Sequence, residues 1–267
     1  MRTAACTIFA GLLALALCAG ATQHVPVESR AGKEMPKAMV IGIVGGFVHQ
    51  DDRVHGVVQF ADRIRRDLPV GAFVAVFENH HWREARTEIE RRLDSDHDGS
   101  LSDLEKQSAR IVLFGHSWGG SETVHLAKEL GKDGIPILLT IQVDSVHKRG
   151  EEDSVIPPNV KQAINFYQSD GWLHGRKEIR AADPQRTQIL GNIRLEYKPG
   201  ACPGYPWYNR WFTKPHCAIE VDDQVWDRAD TLINSRLSIH SLPDSSIPEP
   251  RGMGRAQTEI DASGDQN

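Results

Sequence analysis

Positive charge is not in excess in this chain. Its 31 lysines and arginines are outnumbered by 36 aspartates and glutamates. A net charge of −5 gives no basis for holding nucleic acid or an anionic membrane surface. Long apolar runs are also missing: the N-terminal one, residues 8–17, is too short to cross a bilayer. Cysteine is scarce, four in 267 residues, and no internal repeat is visible. What is there is ordinary for a soluble globular protein, with 40% hydrophobic and 25% charged residues. The length suits one large or two small domains.

Residues 1–21 read as an export signal. Arg2 gives a minimal positive start, residues 8–17 an apolar core, and Ala19-Gly20-Ala21 a small-x-small cleavage pattern. The expectation is a secreted or periplasmic protein cut after Ala21, with a lipoprotein anchor at Cys18 as the alternative. Cleavage leaves Cys202 and Cys217, and an even pair in an exported chain is most simply one disulfide. It would close a loop of about 15 residues, worth roughly 3 kcal/mol in the chain-entropy model.

Residues 22–37 are a polar lead-in with Pro26 and Pro36, and residues 241–267, rich in Ser, Pro, Gly, Asp and Glu, are expected to be disordered. Between them strand and helix alternate. Apolar runs at 39–44, 72–77, 110–114 and 135–143 predict strands buried on both faces. Helical spacing of apolar residues predicts helices over 52–68, 82–93, 117–131 and 221–237. A short helix then a strand at 164–167 is expected within 159–168, and a further strand over 187–197. The alternation predicts one α/β domain over 38–240, a doubly wound, mostly parallel sheet of about six strands with helices on both faces.

Residues 111–120, Ile-Val-Leu-Phe-Gly-His-Ser-Trp-Gly-Gly, contain a Gly-x-Ser-x-Gly between a strand and a helix. That setting predicts a nucleophile elbow, with the Ser117 hydroxyl lifted clear of the sheet at a helix N-terminus. A serine needs a base and an acid to orient it. The carboxyl ends of later strands converge on the same crevice. There Asp144, or alternatively Asp170, is the candidate acid, and His216 the candidate base, in a loop before the last helix. His147, His174 and His240 also follow Ser117. The oxyanion donors are expected at the backbone N–H of Trp118 and of Phe47 in Gly45-Gly46-Phe47, with Gly46 as the alternative.

The elbow, the Gly-Gly loop and the order Ser117, Asp144, His216 resemble the α/β-hydrolase superfamily over about residues 38–240. The compact, capless members are nearest, such as cutinase-like and small lipase or esterase enzymes. The resemblance implies a serine hydrolase that cleaves an ester or thioester, of a small molecule or lipid, through an acyl-enzyme. It implies no organic cofactor and no large cap. The readings from other classes are a non-catalytic calcium-stabilised binding protein on the same scaffold, and a peptidase or amidase.

Residues 94–105 fill the demanding positions of an EF-hand loop. Asp94, Asp96 and Asp98 supply carboxylates, Gly99 the bend, Ser100 a carbonyl, Ser102 a direct or water-borne contact and Glu105 a bidentate group, while Leu101 points to the core. A structural calcium ion is expected. Asn79, His80, His81 and Trp82 end a strand and are expected to face the crevice, with His80 and His81 as substrate contacts. A zinc site there lacks clear partners. His49, Asp51, Asp52 and His55 invite the same thought, but helix capping by Asp51 or Asp52 is the simpler expectation. Tyr205, Trp207, Tyr208, Trp211 and Phe212 crowd the loop between the two cysteines. Trp207 and Trp211 are candidate walls of an apolar pocket.

Overall fold

The computed structural model describes residues 38–68, 71–148, 150, 152–197, 205 and 214–239. The expected export signal with Cys18, the lead-in, the C-terminal tail, His240, Trp207, Tyr208, Trp211, Phe212 and Cys202 lie outside them. The expected disulfide therefore has only its buried Cys217 end among the described residues.

Strand β1 (Met39–Val44) is apolar throughout except at Gly42, and every residue of it is buried. A strand with no exposed position belongs at the centre of a sheet covered on both sides. β1 pairs in parallel with β2 (Phe73–Glu78) on one side and β3 (Ile111–His116) on the other. β4 (Ile137–Val143), β6 (Val160–Tyr167) and β8 (Gln188–Arg194) extend the sheet, giving the order β2-β1-β3-β4-β6-β8. Every pairing is parallel. Two-residue strands β5 (Val155–Ile156) and β7 (Arg180–Ala181) form a separate ladder.

Alternate residues of β1 feed two cores. Met39, Ile41 and Ile43 pack with Ala85, Ile89 and Leu93 of α2 (Trp82–Leu93) and with Val124, Ala127 and Leu130 of α4 (Trp118–Lys132). Val40 and Val44 pack on the other face, with Val57, Phe60 and Ile64 of α1 (Gly56–Asp67). Val225, Trp226, Ala229 and Ile233 of the last helix, α6 (Asp223–Ile239), join the same face. The result is the expected doubly wound α/β sheet, with no large cap among the described residues. No described helix is long and apolar enough to cross a membrane.

Several expectations need correction. α1 starts at Gly56 instead of residue 52, and its N-cap His55 makes no side-chain capping bond. Asp52 Oδ1 accepts from Val54 N, so it closes a turn ahead of the helix and does not cap it. No helix precedes residue 164: β6 is extended from Val160, because Ile137 and Leu139 of β4 pair with Val160 and Gln162. A helix α3 (Asp103–Gln107) follows the acidic loop. His216 sits inside a helix, α5 (Lys214–Glu220), where a loop was expected.

Order reverses between β1 and β3, since β1 leads to β2 on one side and the chain then returns to the other. Such a switch point leaves a crevice beyond the strands' carboxyl ends. There β3 becomes α4 with only Ser117 between them, and two glycines make that possible. A Cβ on Gly119 would stand 2.0 Å from the Ile43 carbonyl oxygen, and one on Gly115 would stand 2.4 Å from the Gly119 oxygen. Backbone is close to backbone at both places, so nothing can rotate away. Gly119→Ala is therefore expected to lower unfolding free energy by roughly 1–3 kcal/mol, the cost of overpacking. Urea unfolding checks it, and an unchanged midpoint would contradict the crowding.

Candidate active site

Ser117 has φ 58° and ψ −127°, a conformation that side-chain-bearing residues avoid. Strain of this kind costs roughly 1–3 kcal/mol and persists only where neighbours impose it. Here Ser117 N donates to the Val143 carbonyl at 3.0 Å, and the Ser117 carbonyl accepts from Gly120 and Val146. Ser117 and His216 line one cavity of about 190 Å³, together with Gly45, Gly46, Val48, Leu173 and Tyr205. No hydrogen bond joins the Ser117 hydroxyl to the His216 ring.

His216 Nδ1 lies 2.6 Å from Asp144 Oδ2. Asp144 follows β4 directly, is fully buried, and takes φ 44°, which aspartate tolerates better than most residues. Its carboxylate also accepts from Gln168 Nε2 at 2.7 Å and from Gly175 N at 2.7 Å. Burial alone would raise its pKa, but the His216 ring and the Gln168 amide outweigh that and hold it below the usual aspartate value. The alternative acid, Asp170, is turned away. It accepts from Arg194 Nη2 and from Tyr197 N, and does not meet His216.

Gly45-Gly46-Phe47-Val48 forms a tight turn in which Val48 N donates to the Gly45 carbonyl and Gly46 takes φ +55°. A Cβ on Gly45 would stand 2.7 Å from Ser117 Cβ, so only glycine lets this loop lie against the serine. Asn79, buried at the end of β2, donates from Nδ2 to the Gly46 carbonyl at 2.5 Å. Phe47 N and Trp118 N donate to no other backbone group. The two rings meet edge to face at 5.8 Å, and the Phe47 side chain is exposed.

Beneath the histidine lies a buried charged cluster that the sequence reading missed. His116 Nε2 donates to the His216 carbonyl at 3.0 Å, and His116 Nδ1 lies 3.2 Å from Glu220 Oε2. Both ring nitrogens face acceptors, and only an imidazolium can serve both. Burial opposes that charge, but Glu220 overrides it and raises the His116 pKa. Glu220 also accepts from His55 Nδ1, at 3.1 Å, and from the Tyr205 hydroxyl. Burial would raise the Glu220 pKa, yet the charge of His116 and the His55 contact hold it far below the usual carboxylate range. The rings of His116 and His216 are 4.4 Å apart. Burial, then the His116 charge, lowers the His216 pKa, which keeps that ring neutral and able to accept a proton. The signal available in sequence was a histidine closing an apolar strand and an acid inside Cys217-Ala218-Ile219-Glu220-Val221.

His80 and His81 do not line the cavity that holds Ser117. They stand beyond β2, two strands away. The carboxylates of Asp94, Asp96 and Asp98 offer oxygens within 4.8 Å of one another. Gly99 N donates to Asp94 Oδ2, whereas Asp94 Oδ1 is buried without a hydrogen-bond partner. Ser100 donates to Asp98 from both its N–H and its hydroxyl. Ser102 and Glu105 form a capping box on α3, and Glu105 also accepts from Ser95. These N–H and hydroxyl donors bring the Glu105 pKa down to about 2. Leu101 packs against the core, as expected.

No family model matches the chain, and no curated protein matches it. Among solved structures, a cutinase-like protein from Cryptococcus sp. is similar at 13% identity, over 76% of this chain and 95% of that one, with a TM-score of 0.40. An acetylxylan esterase is similar at 10% identity, over 76% and 99%, with a TM-score of 0.37. Est1E from Butyrivibrio proteoclasticus is similar at 10% identity, over 76% and 90%, with a TM-score of 0.36.

The Glu220–His116 pair gives a pH-dependent expectation. A carboxyl held below its ordinary 4.5 contributes stability above that pH and loses it as pH falls through the folded value. An imidazole raised above its ordinary 6.5 contributes below that pH and loses it as pH rises through the folded value. The pair is therefore fully effective between about pH 4.5 and 6.5. Glu220→Gln is expected to cost roughly 3–5 kcal/mol there, as a buried charge losing its partner does, and less at higher pH. Urea unfolding over a pH series checks this. A loss that does not vary with pH would point to packing instead.

Proposed function

We propose that this chain is a serine hydrolase that cleaves a carboxylic ester or thioester. The observation that carries the reading is the 2.6 Å contact between His216 and Asp144, with His216 facing the same cavity as a strained Ser117. In this mechanism His216 Nε2 accepts the Ser117 proton as Oγ attacks the substrate carbonyl carbon. Asp144 holds the Nδ1 proton and so fixes the tautomer that leaves Nε2 basic. The N–H groups of Trp118 and Phe47 receive the oxyanion of the tetrahedral intermediate. His216 then returns the proton to the departing alcohol or thiol, leaving an acyl-Ser117. Water attacks that ester in the second half, with His216 again taking the proton. The substrate is a small-molecule or lipid ester, and no organic cofactor has a step to perform.

A fluorophosphonate probe is expected to label the wild type and spare Ser117→Ala, and equal labelling would defeat the assignment. Asp144→Asn is expected to lower kcat on short p-nitrophenyl esters by about 10⁴-fold, the scale of losing the acid that orients the base. Asp170→Asn is expected to leave kcat nearly unchanged.

The proposal includes export to a secreted or periplasmic location after cleavage at Ala21, and a Cys202–Cys217 disulfide. It also includes a structural calcium ion on the 94–105 loop. Asp94, Asp96 and Asp98 fit a hard cation, because three convergent carboxylates repel one another and the inner Asp94 oxygen has no donor of its own. Ser100, Ser102 and Glu105 complete the sequence pattern, with Glu105 turned to its serine donors. The loop joins the end of α2 to α3, which leads into the start of β3. The length of β3, about 20 Å, separates it from Ser117. The ion acts on stability and takes no part in the hydrolysis. A chelator is expected to lower the melting temperature, and Asp96→Ala to remove that difference. A melt indifferent to chelator would count against the ion.

A further inference from the structure

We propose that Glu78, His80 and His81 form a second metal site, selective for zinc or a similar transition-metal dication and separate from the acidic loop. Each residue offers one ligand atom, and the three atoms lie within 4.8 Å of one another. His80 Nε2 and Glu78 Oε2 are 3.2 Å apart. Two ligands at about 2.0–2.1 Å from a tetrahedral zinc ion stand about 3.3 Å apart, so this edge is already at coordination distance.

Among the described residues, the His80 and His81 rings and the Glu78 carboxylate make no hydrogen bond with the rest of the chain, and His80 and Glu78 meet only each other at close range. Their positions are fixed by backbone. Glu78 is the last residue of β2 and pairs with Val44. His81 N donates to the Glu78 carbonyl at 2.8 Å, closing the turn, and the His81 carbonyl accepts from Glu84 and Ala85 at the start of α2. Strand end, turn and helix start thus present three donors from four consecutive residues without cost to the core.

The surroundings suit a cation. Glu84 stands 3.8 Å from His81 Nδ1 and adds negative charge. His49 Nδ1 accepts from Asp51 N, which places the His49 proton on Nε2, 3.6 Å from Glu78 Oε1. Two imidazoles and one carboxylate suit zinc and its neighbours, whereas calcium and magnesium take oxygen ligands. His80 is exposed and His81 partly so, which leaves a fourth position open to water or an exogenous ligand.

The test uses the full chain, stripped with chelator, then given Zn²⁺ alone and passed through a desalting column. One zinc per chain is expected to be retained by the wild type and by Asp96→Ala. His80→Ala, His81→Ala and Glu78→Gln are each expected to weaken binding at least tenfold in calorimetry, with metal-free melting temperatures equal to the wild type's. Co²⁺ in the unaltered chain is expected to give the intense visible absorption of a four-coordinate site, a readout needing no variant. No retained zinc, equal retention by the His80→Ala/His81→Ala double variant, loss of retention in Asp96→Ala, or cobalt without that absorption would each overturn the site.

Discussion

Everything at the carboxyl edge of this sheet is arranged around one contact, the Gly119 backbone lying on the Ile43 carbonyl. It lets α4 begin immediately after β3, which forces Ser117 into a left-handed conformation at the helix N-terminus. A longer connection would relax the serine and let it turn toward the sheet. The neighbouring strands share in holding it, since Val143 of β4 accepts its N–H and Gly45 beyond β1 lies against its side chain. The placement of Ser117 is a property of packing between three parallel strands and one helix.

The second organising element is electrostatic. Glu220 brings three pieces of chain together: the start of α1 through His55, the end of β3 through His116, and the loop before α5 through Tyr205. Trp226 adds a fourth tie by donating from its indole to the Glu220 carbonyl. Two oppositely charged groups in a dry interior are expensive unless each is fully engaged. Here the carboxylate meets three donors, and the imidazolium meets a carboxylate and a carbonyl. The cation lies against the face of His216 and keeps that ring neutral. Asp144, on the ring's far nitrogen, favours the charged form. The His216 ring is held between two opposing influences.

The sequence carried the centre of the sheet well because its central strands are buried on both faces and read as unbroken apolar runs. β1, β3 and β4 were legible for that reason. β6 was only half legible, because Lys161 and Gln162 interrupt its apolar pattern near the start and only pairing with β4 makes them extended. α5 was missed because seven residues containing a proline carry little periodicity. Ser117 and Asp144 could be nominated because they stand at strand ends, and His216 because it precedes the last helix on the same side. The sequence already favoured Asp144 over Asp170 because its strand is the more fully apolar, and side-chain direction, which no sequence records, brings Asp144 and not Asp170 to His216. Glu220 escaped because its role depends on partners 104 and 165 positions away, His116 and His55, and no local pattern records such a meeting.

The turn that carries Phe47 closes on its own Val48–Gly45 hydrogen bond and is also tied to Asn79, just beyond β2, the outermost strand on that side among the described residues. An edge strand has one side of its ladder unpaired and is the part of a sheet most easily engaged by another chain. The placement of that turn is thereby tied to one margin of the sheet. A binder that grips that margin would act on the turn beside Ser117 without approaching the serine itself.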